Sequence, residues 1–446
     1  MNFEFSDEQQ LLREQARGFL TEHCPTSAVR AVLDGDQDWD AALWHKVAEM
    51  GWTATVIPEA YGGLGLSYYE LAIIAEEMGR SAAPLPFSSS VYLASEAIQR
   101  FGNEAQKSAW LPRLASGECV ATVAMAERAG RLALEQLETR RSGSQLSGTK
   151  VPVADASVAE VAVVLARSDA GLEACLVPLQ QAGVSVEPVL TFDTSRGHSS
   201  VTFEGAEAEV LGETTLNPED WESLLDGAAV LLAWEQLGLA ETALTQARDY
   251  ALQRFAFGRA IGSYQAIKHK LANMYVRNTL ARSNAYYGVW ALSEGSDELP
   301  LVAATARVAA IQASTYAAEE NIQTHGGMGF TWEFDCHFYL RRAKLLSLTI
   351  GSEAVWQDRL VSAWPHKAQQ PDGESRWTLT IPLKKRASAK KPPPGLPRMR
   401  QPMTPFGRCL RWSRLRSGKK ENTMPVGPVS VGRQTSAAAA LPQLKR

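Results

Sequence analysis

The chain has few of the residues that mark the commonest kinds of special chemistry. It holds only five cysteines (Cys24, Cys119, Cys175, Cys336 and Cys409), odd in number and scattered with no CxxC pair. That excludes a disulfide framework or a thiolate zinc site, and it fits reduced thiols in a cytoplasmic protein. The seven histidines form no HxxxH or HExxH pattern, so metal catalysis lacks its usual ligands. No run approaches the ~20 apolar residues of a membrane span. The N-terminus, Met-Asn-Phe-Glu-Phe-Ser-Asp-Glu, is acidic and enters a helix at once, unlike a secretory signal. The cluster Tyr61-Gly-Gly-Leu-Gly65 follows no strand and lacks the G-x-G-x-x-G spacing. It is a turn, not a dinucleotide fingerprint.

What is present is ordinary in bulk and uneven in distribution. With 446 residues, 45% hydrophobic and 21% charged, the chain suits two or three domains with cores of their own. The net charge of −4 conceals a division: residues 371–446 carry 17 Lys+Arg against 3 Asp+Glu, leaving 28 against 46 for the remainder. Half of the 22 prolines also fall in that last segment. Beyond Trp364 no hydrophobic period survives, and residues 365–446 are expected to be a disordered Pro/Arg/Lys-rich tail. The abrupt change of composition reads as an extension in a shifted frame. A basic arm could meet nucleic acid or an acidic membrane, but the acidic body argues against nucleic acid as a partner.

Three blocks precede the tail. Residues 1–118 read as helical: Ser6-Asp-Glu-Gln9 is a capping box, Leu11, Leu12, Ala16, Phe19 and Leu20 form one stripe, and further helices fall at about 39–50, 67–80, 89–101 and 104–115. Residues 119–216 hold short β-rich runs separated by turn residues, from Cys119–Met125 to Ser199–Glu204, as in a small antiparallel barrel or sandwich. Residues 217–364 return to a helical period, with Pro300 at a helix start and Gly326-Gly327 closing Leu301–His325. The expected class is α+β multidomain: a helical domain, a β-barrel and a four-helix bundle.

One loop of the bundle is built from unusual residues, Arg254-Phe-Ala-Phe-Gly-Arg-Ala-Ile-Gly-Ser-Tyr-Gln265. A long apolar run, Ala228–Leu252, precedes it, and Ile267, Leu271, Met274 and Tyr275 follow at the spacing of one buried face. Arginine presents a planar fork suited to phosphate oxygens, and glycine lets backbone approach a ligand. The plain alternative is a turn whose arginines face water.

In order along the chain stand Glu76-Glu-Met-Gly79, Leu111-Pro-Arg-Leu-Ala-Ser-Gly-Glu118, Leu146-Ser-Gly-Thr-Lys150 and Asp193-Thr-Ser-Arg196. Arg254-x-x-Phe257-Gly258 with Gln265, then Gln323-Thr-His-Gly-Gly-Met-Gly-Phe330, complete the set. This series resembles the acyl-CoA dehydrogenase family over roughly residues 1–364. The resemblance implies a flavoprotein oxidoreductase that oxidises the α,β bond of an acyl-CoA. A carboxylate takes the α-proton, FAD receives hydride, and an electron-transfer flavoprotein accepts the electrons. It further implies that Arg254 meets the FAD pyrophosphate, that Phe257 and Gln265 shape the adenosine end, and that Gln323, Gly326 and Gly327 bring backbone to the cofactor of a neighbouring subunit.

The departures fall on one half of that site. Where most of the family carries its base stands Ile350; where a minority branch carries it stands Phe255. The barrel motif reads Ala126-Glu127-Arg128 in place of its usual hydroxyls, Ser144 stands where a tryptophan packs on flavin, and Ala229 replaces an arginine that meets CoA. The pattern resembles the helper subunit of mixed tetramers of two related chains. A self-sufficient enzyme would need a relocated base, with Glu353 and then Glu127 as candidates. A non-catalytic binding protein on this fold is the third reading. His325 reads as a helix-end residue satisfying carbonyls, Tyr286, Tyr287 and Trp290 as bundle core, and Arg341, Arg342 and Lys344 as a surface or interface charge cluster.

Overall fold

The helices of the first block follow from their caps. A computed structural model describes residues 5–364 apart from 36, 129, 131, 213 and 214; the predicted tail lies outside the described residues. Helix α1 (Asp7–His23) starts on Ser6, whose hydroxyl accepts from the Gln9 amide at 3.2 Å while the Gln9 side chain accepts from the Ser6 amide at 3.0 Å. Its buried stripe begins at Leu12, because Leu11 is 55% exposed. Helices α2 (Thr26–Asp34), α3 (Ala41–Glu49), α4 (Tyr68–Ser81), α5 (Glu96–Phe101) and α6 (Glu104–Ala115) complete the block. Helix α2 carries no local start signal, since its N-terminus has only Pro25 and no side-chain cap, and it is not among the expected helices. The run expected as one helix over 89–101 is a π-helical stretch, Ser88–Ser95, leading into α5.

The Glu-Glu-Met-Gly motif of α4 is a packing device. A Cβ on Gly79 would lie 1.7 Å from the Glu235 carbonyl oxygen, and one on Gly238 would lie 1.8 Å from that of Glu76. Helices α4 and α7 (Pro218–Gln253) therefore cross with backbones in contact, which only glycine permits. The buried Glu76 beside the crossing is bound by Arg13 (3.2 Å), Arg80 (3.0 Å) and Arg282 (2.8 Å); Glu77 is bound by Arg17 (2.8 Å) and Arg80. Burial opposes the charge on Glu76, but Arg282, Arg13 and Arg80 hold its carboxyl below the ordinary range.

The middle block is one curled sheet. Its strands are β1 (Ala121–Ala124), β2 (Arg140–Ser142), β3 (Gln145–Ala154), β4 (Val161–Ser168), β5 (Gly171–Pro178), β6 (Val184–Pro188), β7 (His198–Glu207) and β8 (Glu209–Val210). They run β6-β7-β3-β2-β4-β5-β8, with β1 on β4 in register Ala121↔Val161. Most pairs are antiparallel, as expected, but β1 and β2 run parallel to β4, so the sheet is mixed. Strand β4 is buried from Val161 to Ala166 on both faces, hence its continuous apolar run.

The third block is a bundle of three long helices, α7, α8 (Gln265–Ser293) and α9 (Leu299–His325), completed by α10 (Cys336–Leu348) and α11 (Glu353–Ala363). Asn217 caps α7, whose first residue is Pro218, and Gly326 ends α9 at φ 62°. On α8 Met274 is buried and Ile267 and Leu271 are half-buried, but Tyr275 is 63% exposed. With Val276 and Leu280 it belongs to an outward face, not the inner stripe predicted for it. Tyr286 is core, 4.8 Å from Trp234 and 4.9 Å from Phe5. No helix of the described residues is long and apolar enough to cross a membrane.

Candidate functional site

Two features could carry chemistry: one end of the bundle, and a cavity beside the sheet. At the bundle end, Arg254 to Ala260 folds into a tight hairpin, with β9 (Phe255–Ala256) antiparallel to β10 (Arg259–Ala260). Phe257 (φ 52°) and Gly258 (φ 82°) form its two-residue turn, whose positive dihedrals match the twist of the arms. The Ile261 amide donates to the Arg254 carbonyl at 2.8 Å and so continues the ladder. Phe257 is 97% exposed, and Arg254, Arg259 and Gln265 also face outward. The Arg254 guanidinium has no partner among the described residues.

The glycine loop shares this end. Tyr250, one turn before Arg254, stacks on His325 with centroids 4.2 Å apart, and Gly326 follows His325 directly. His325 is buried and its Nδ1 donates to the Asn321 carbonyl at 2.8 Å, so it closes the helix as expected. Gln323 and Gly327 are exposed and Gly326 half-buried. A Cβ on Gly327 would meet nothing within 4 Å. Neither crowding nor a left-handed backbone explains that glycine; a ligand approaching its backbone would.

The cavity, about 550 Å³, lies among the π-helical stretch, the sheet, the start of α7 and the segment joining α10 to α11. Leu93, Val123, Met125, Leu225, Leu348 and Ile350 give it an apolar wall. Ile350 has φ 55°, a conformation that costs a β-branched residue about 1–3 kcal/mol. The buried Arg307 over-determines it, donating to the Leu346 carbonyl and, at 2.8 Å, to that of Thr349. The position holds the special backbone while offering an aliphatic side chain.

Both relocated-base candidates are placed elsewhere. Glu127 accepts from Lys150 Nζ at 2.8 Å and from the amides of Glu138 (2.6 Å) and Thr139 (2.8 Å). Burial opposes its charge, yet these donors hold its pKa down at about 2, so it is a structural anion and a poor proton acceptor. Glu353 opens α11 outside the cavity lining, where it accepts from Gln312 at 2.7 Å and Gln357 at 2.9 Å. Phe255, the minority base position, is an exposed hairpin residue. Ala229 is fully buried in α7 and Ser144 is an exposed turn residue.

The charge cluster of α10 is corrected in part. Arg342 is buried, donating to Asp193 Oδ2 (2.7 Å), Ser195 Oγ (2.8 Å) and the Ala83 carbonyl (2.9 Å). It ties together the helical block, the sheet loop and the bundle, which accounts for the Asp193-Thr-Ser-Arg196 motif. Arg196 completes the strap by pairing with Asp155, its Nε at 3.0 Å. Arg341 rests 5.1 Å from the Phe192 ring, and Lys344 pairs at the surface with Glu319 (2.8 Å).

Three residues escaped the sequence reading. Asp226 pairs with Arg359 at 2.6 Å, and burial raises its pKa to about 6 against the lowering pull of that arginine. Arg359 and Glu222 line the cavity, 4.0 Å apart. These partners lie more than a hundred positions apart, so no local spacing could announce them.

Two helical blocks flank a curled sheet, with a largely apolar cavity among them and a basic hairpin at the bundle end, the architecture of a multidomain enzyme. Residues 6–118 match the acyl-CoA dehydrogenase N-terminal domain and residues 221–364 its C-terminal domain. The chain belongs to the acyl-CoA dehydrogenase family, whose members are oxidoreductases acting on CH–CH bonds. It is 33% identical over 338 residues to acyl-CoA dehydrogenase IpdE2 of Mycobacterium tuberculosis, covering 76% of this chain and 91% of that protein. Among solved structures it resembles a variant of the Tcur3481-Tcur3483 steroid acyl-CoA dehydrogenase, at TM-score 0.74 and 30% identity, covering 80% of this chain and 97% of the other. It also resembles the ChsE4-ChsE5 complex of Mycobacterium tuberculosis, at TM-score 0.75 and 26% identity, covering 81% and 98%.

Proposed function

We propose that the chain is one subunit of a mixed, α₂β₂ acyl-CoA dehydrogenase and lacks a base of its own. On this reading it lends its bundle end to FAD seated mainly in a homologous neighbour. The observation that carries it is Ile350: the strained backbone of the base position is kept, the carboxylate is not, and Glu127 and Glu353 stand locked or outside. The bundle end keeps what a cofactor arm needs. Arg254 would donate to the pyrophosphate as a charge-assisted fork. Gln323, Gly326 and Gly327 would bring backbone beside it, and Phe257 and Gln265 would flank the adenosine. Bound FAD would supply the hydride acceptor for the α,β-dehydrogenation.

The relatives support two further parts of the reading. Both solved neighbours named above are two-chain assemblies, and one is a steroid dehydrogenase. A bulky acyl-CoA, with a fatty or steroid side chain, is therefore the proposed substrate, in the cytoplasm and with an electron-transfer flavoprotein as acceptor. The test is purification of the full chain alone and together with a co-expressed homologue that has glutamate at the position of Ile350. Flavin retention and turnover are expected only for the pair; full flavin occupancy and turnover by the solitary chain would refute the helper role.

Glu222 favours a second reading. It lines the cavity with its carboxylate 4.0 Å from Arg359, so a self-sufficient enzyme would use it as the base. Loss of solitary-chain turnover in Glu222→Gln with FAD retained would select that reading; no solitary turnover in the parent chain eliminates it.

A further inference from the structure

The hairpin at the bundle end carries a second guanidinium on the same face as Arg254. Side chains alternate along a strand, so Arg254 and Ala256 share a face. Arg259 is the cross-strand partner of Ala256 and lies on that face too. Arg254 and Arg259 are diagonal neighbours, with Cβ atoms on the order of 7 Å apart. The two-residue turn at Phe257 and Gly258 fixes this register; a slip by one residue would send the arginines to opposite faces.

Arg259 is held ready. Its guanidinium stacks 4.0 Å from the Tyr264 ring centroid, and the Tyr264 hydroxyl donates to the Ala256 carbonyl at 3.0 Å. The ring that supports the guanidinium is thus pinned to the hairpin itself. Neither arginine has an ion-pair partner among the described residues, whereas Arg13, Arg17, Arg80, Arg113 and Arg282 are all bound to carboxylates. One fork can satisfy one phosphate; a diphosphate offers two.

We infer that Arg254 and Arg259 form a two-guanidinium clamp on a single diphosphate, with Arg259 as a further binding residue and Tyr264 as its positioning residue. This rests on the reading that the hairpin serves a neighbour's FAD. Because stacking has already restricted Arg259, less rotamer freedom is lost on binding.

The test uses the full chain co-purified with its homologous partner, titrated with FAD and, in competition, with ADP. Gel filtration and thermal melting serve as controls. Arg259→Gln is expected to weaken both FAD and ADP about tenfold, as for loss of one charge-assisted contact. Arg259→Lys recovers part of this, and Tyr264→Leu weakens binding in the same direction by less. If Arg254→Gln weakens FAD while Arg259→Gln stays within twofold of the parent, the clamp is wrong and the arm reading stands. If Arg254→Gln also changes nothing, both fall together. Dissociation of the complex by Arg259→Gln would likewise overturn the clamp, since the residue would then act through assembly.

Discussion

Removing Arg342 should destabilise the fold strongly. The side chain is 1% exposed and the Asp193 side chain it binds 2%. Arg342→Met would strip Asp193 Oδ2 of its donor at 2.7 Å and the Ala83 carbonyl of another at 2.9 Å, leaving a buried carboxylate supported only by Ser195. Breaking one side of such a pair costs about 3–5 kcal/mol. The sign of the pH dependence sharpens the test. Burial opposes the charge of Asp193, but Arg342 and Ser195 hold its pKa below the ordinary 3.8. The pair therefore adds stability fully present above pH 3.8 and lost as pH falls through the lower folded value. Without Arg342, burial would dominate and raise that pKa, so the variant should gain stability on moderate acidification from neutral pH. Calorimetric unfolding from pH 7.5 to pH 5 would read both effects, and Asp193→Asn added to Arg342→Met should recover at least half of the loss. A single variant within about 1 kcal/mol of the parent, or one with the parental pH slope, would refute the reasoning.

Asp226 predicts the opposite slope in the parent protein: its folded pKa of about 6 lies above the ordinary 3.8, so stability should fall as pH rises between these values. Asp226→Asn should flatten that stretch of the curve, measured by chemical denaturation at pH 4, 5 and 6. Glu127, held at about 2 against an ordinary 4.5, adds stability above pH 4.5 that is lost as pH falls towards 2. Glu127→Gln should cost on the order of 2 kcal/mol at pH 7, visible as a lower melting temperature and a weaker acid dependence. Gly79→Ala would drive a methyl to 1.7 Å from the Glu235 carbonyl and force α4 off α7, costing about 3 kcal/mol or more in thermal unfolding. Gly327→Ala, with open space around its Cβ, should leave stability within about 0.5 kcal/mol while lowering FAD retention by the assembled oligomer.

Legibility followed the range of the interactions. The Ser6 capping box, the closure of α9 at Gly326 and the short β-rich runs between Cys119 and Glu204 depend on neighbours a few residues away, and all were readable. The π-helical form of Ser88–Ser95 and the parallel pairing of β1 were not, because both depend on what packs against them. Tyr275 fell on the outward face for the same reason: a helical period fixes which residues share a face, not which faces meet a partner. For the candidate site, the motif at Arg254 to Gln265 marked an unusual loop, but only the structure made it a hairpin, and the pairing of Ala256 with Arg259 put two arginines on one side of it.

The charged motifs draw the same line. Sequence alone determined the three-block order, the absence of metal or disulfide patterns, the series of family motifs and an aliphatic residue, Ile350, at the end of the bundle. Tertiary structure decided what those residues do: that Glu76 and Arg342 are interior straps, that Glu127 is locked by Lys150, and that Glu353 lies outside the cavity. The physical reason is the reach of each effect. Backbone propensity and capping act within one or two turns of chain, whereas desolvation and ion pairing depend on groups brought together from positions hundreds of residues apart, as in the pair of Arg30 with Asp335, 305 positions from each other.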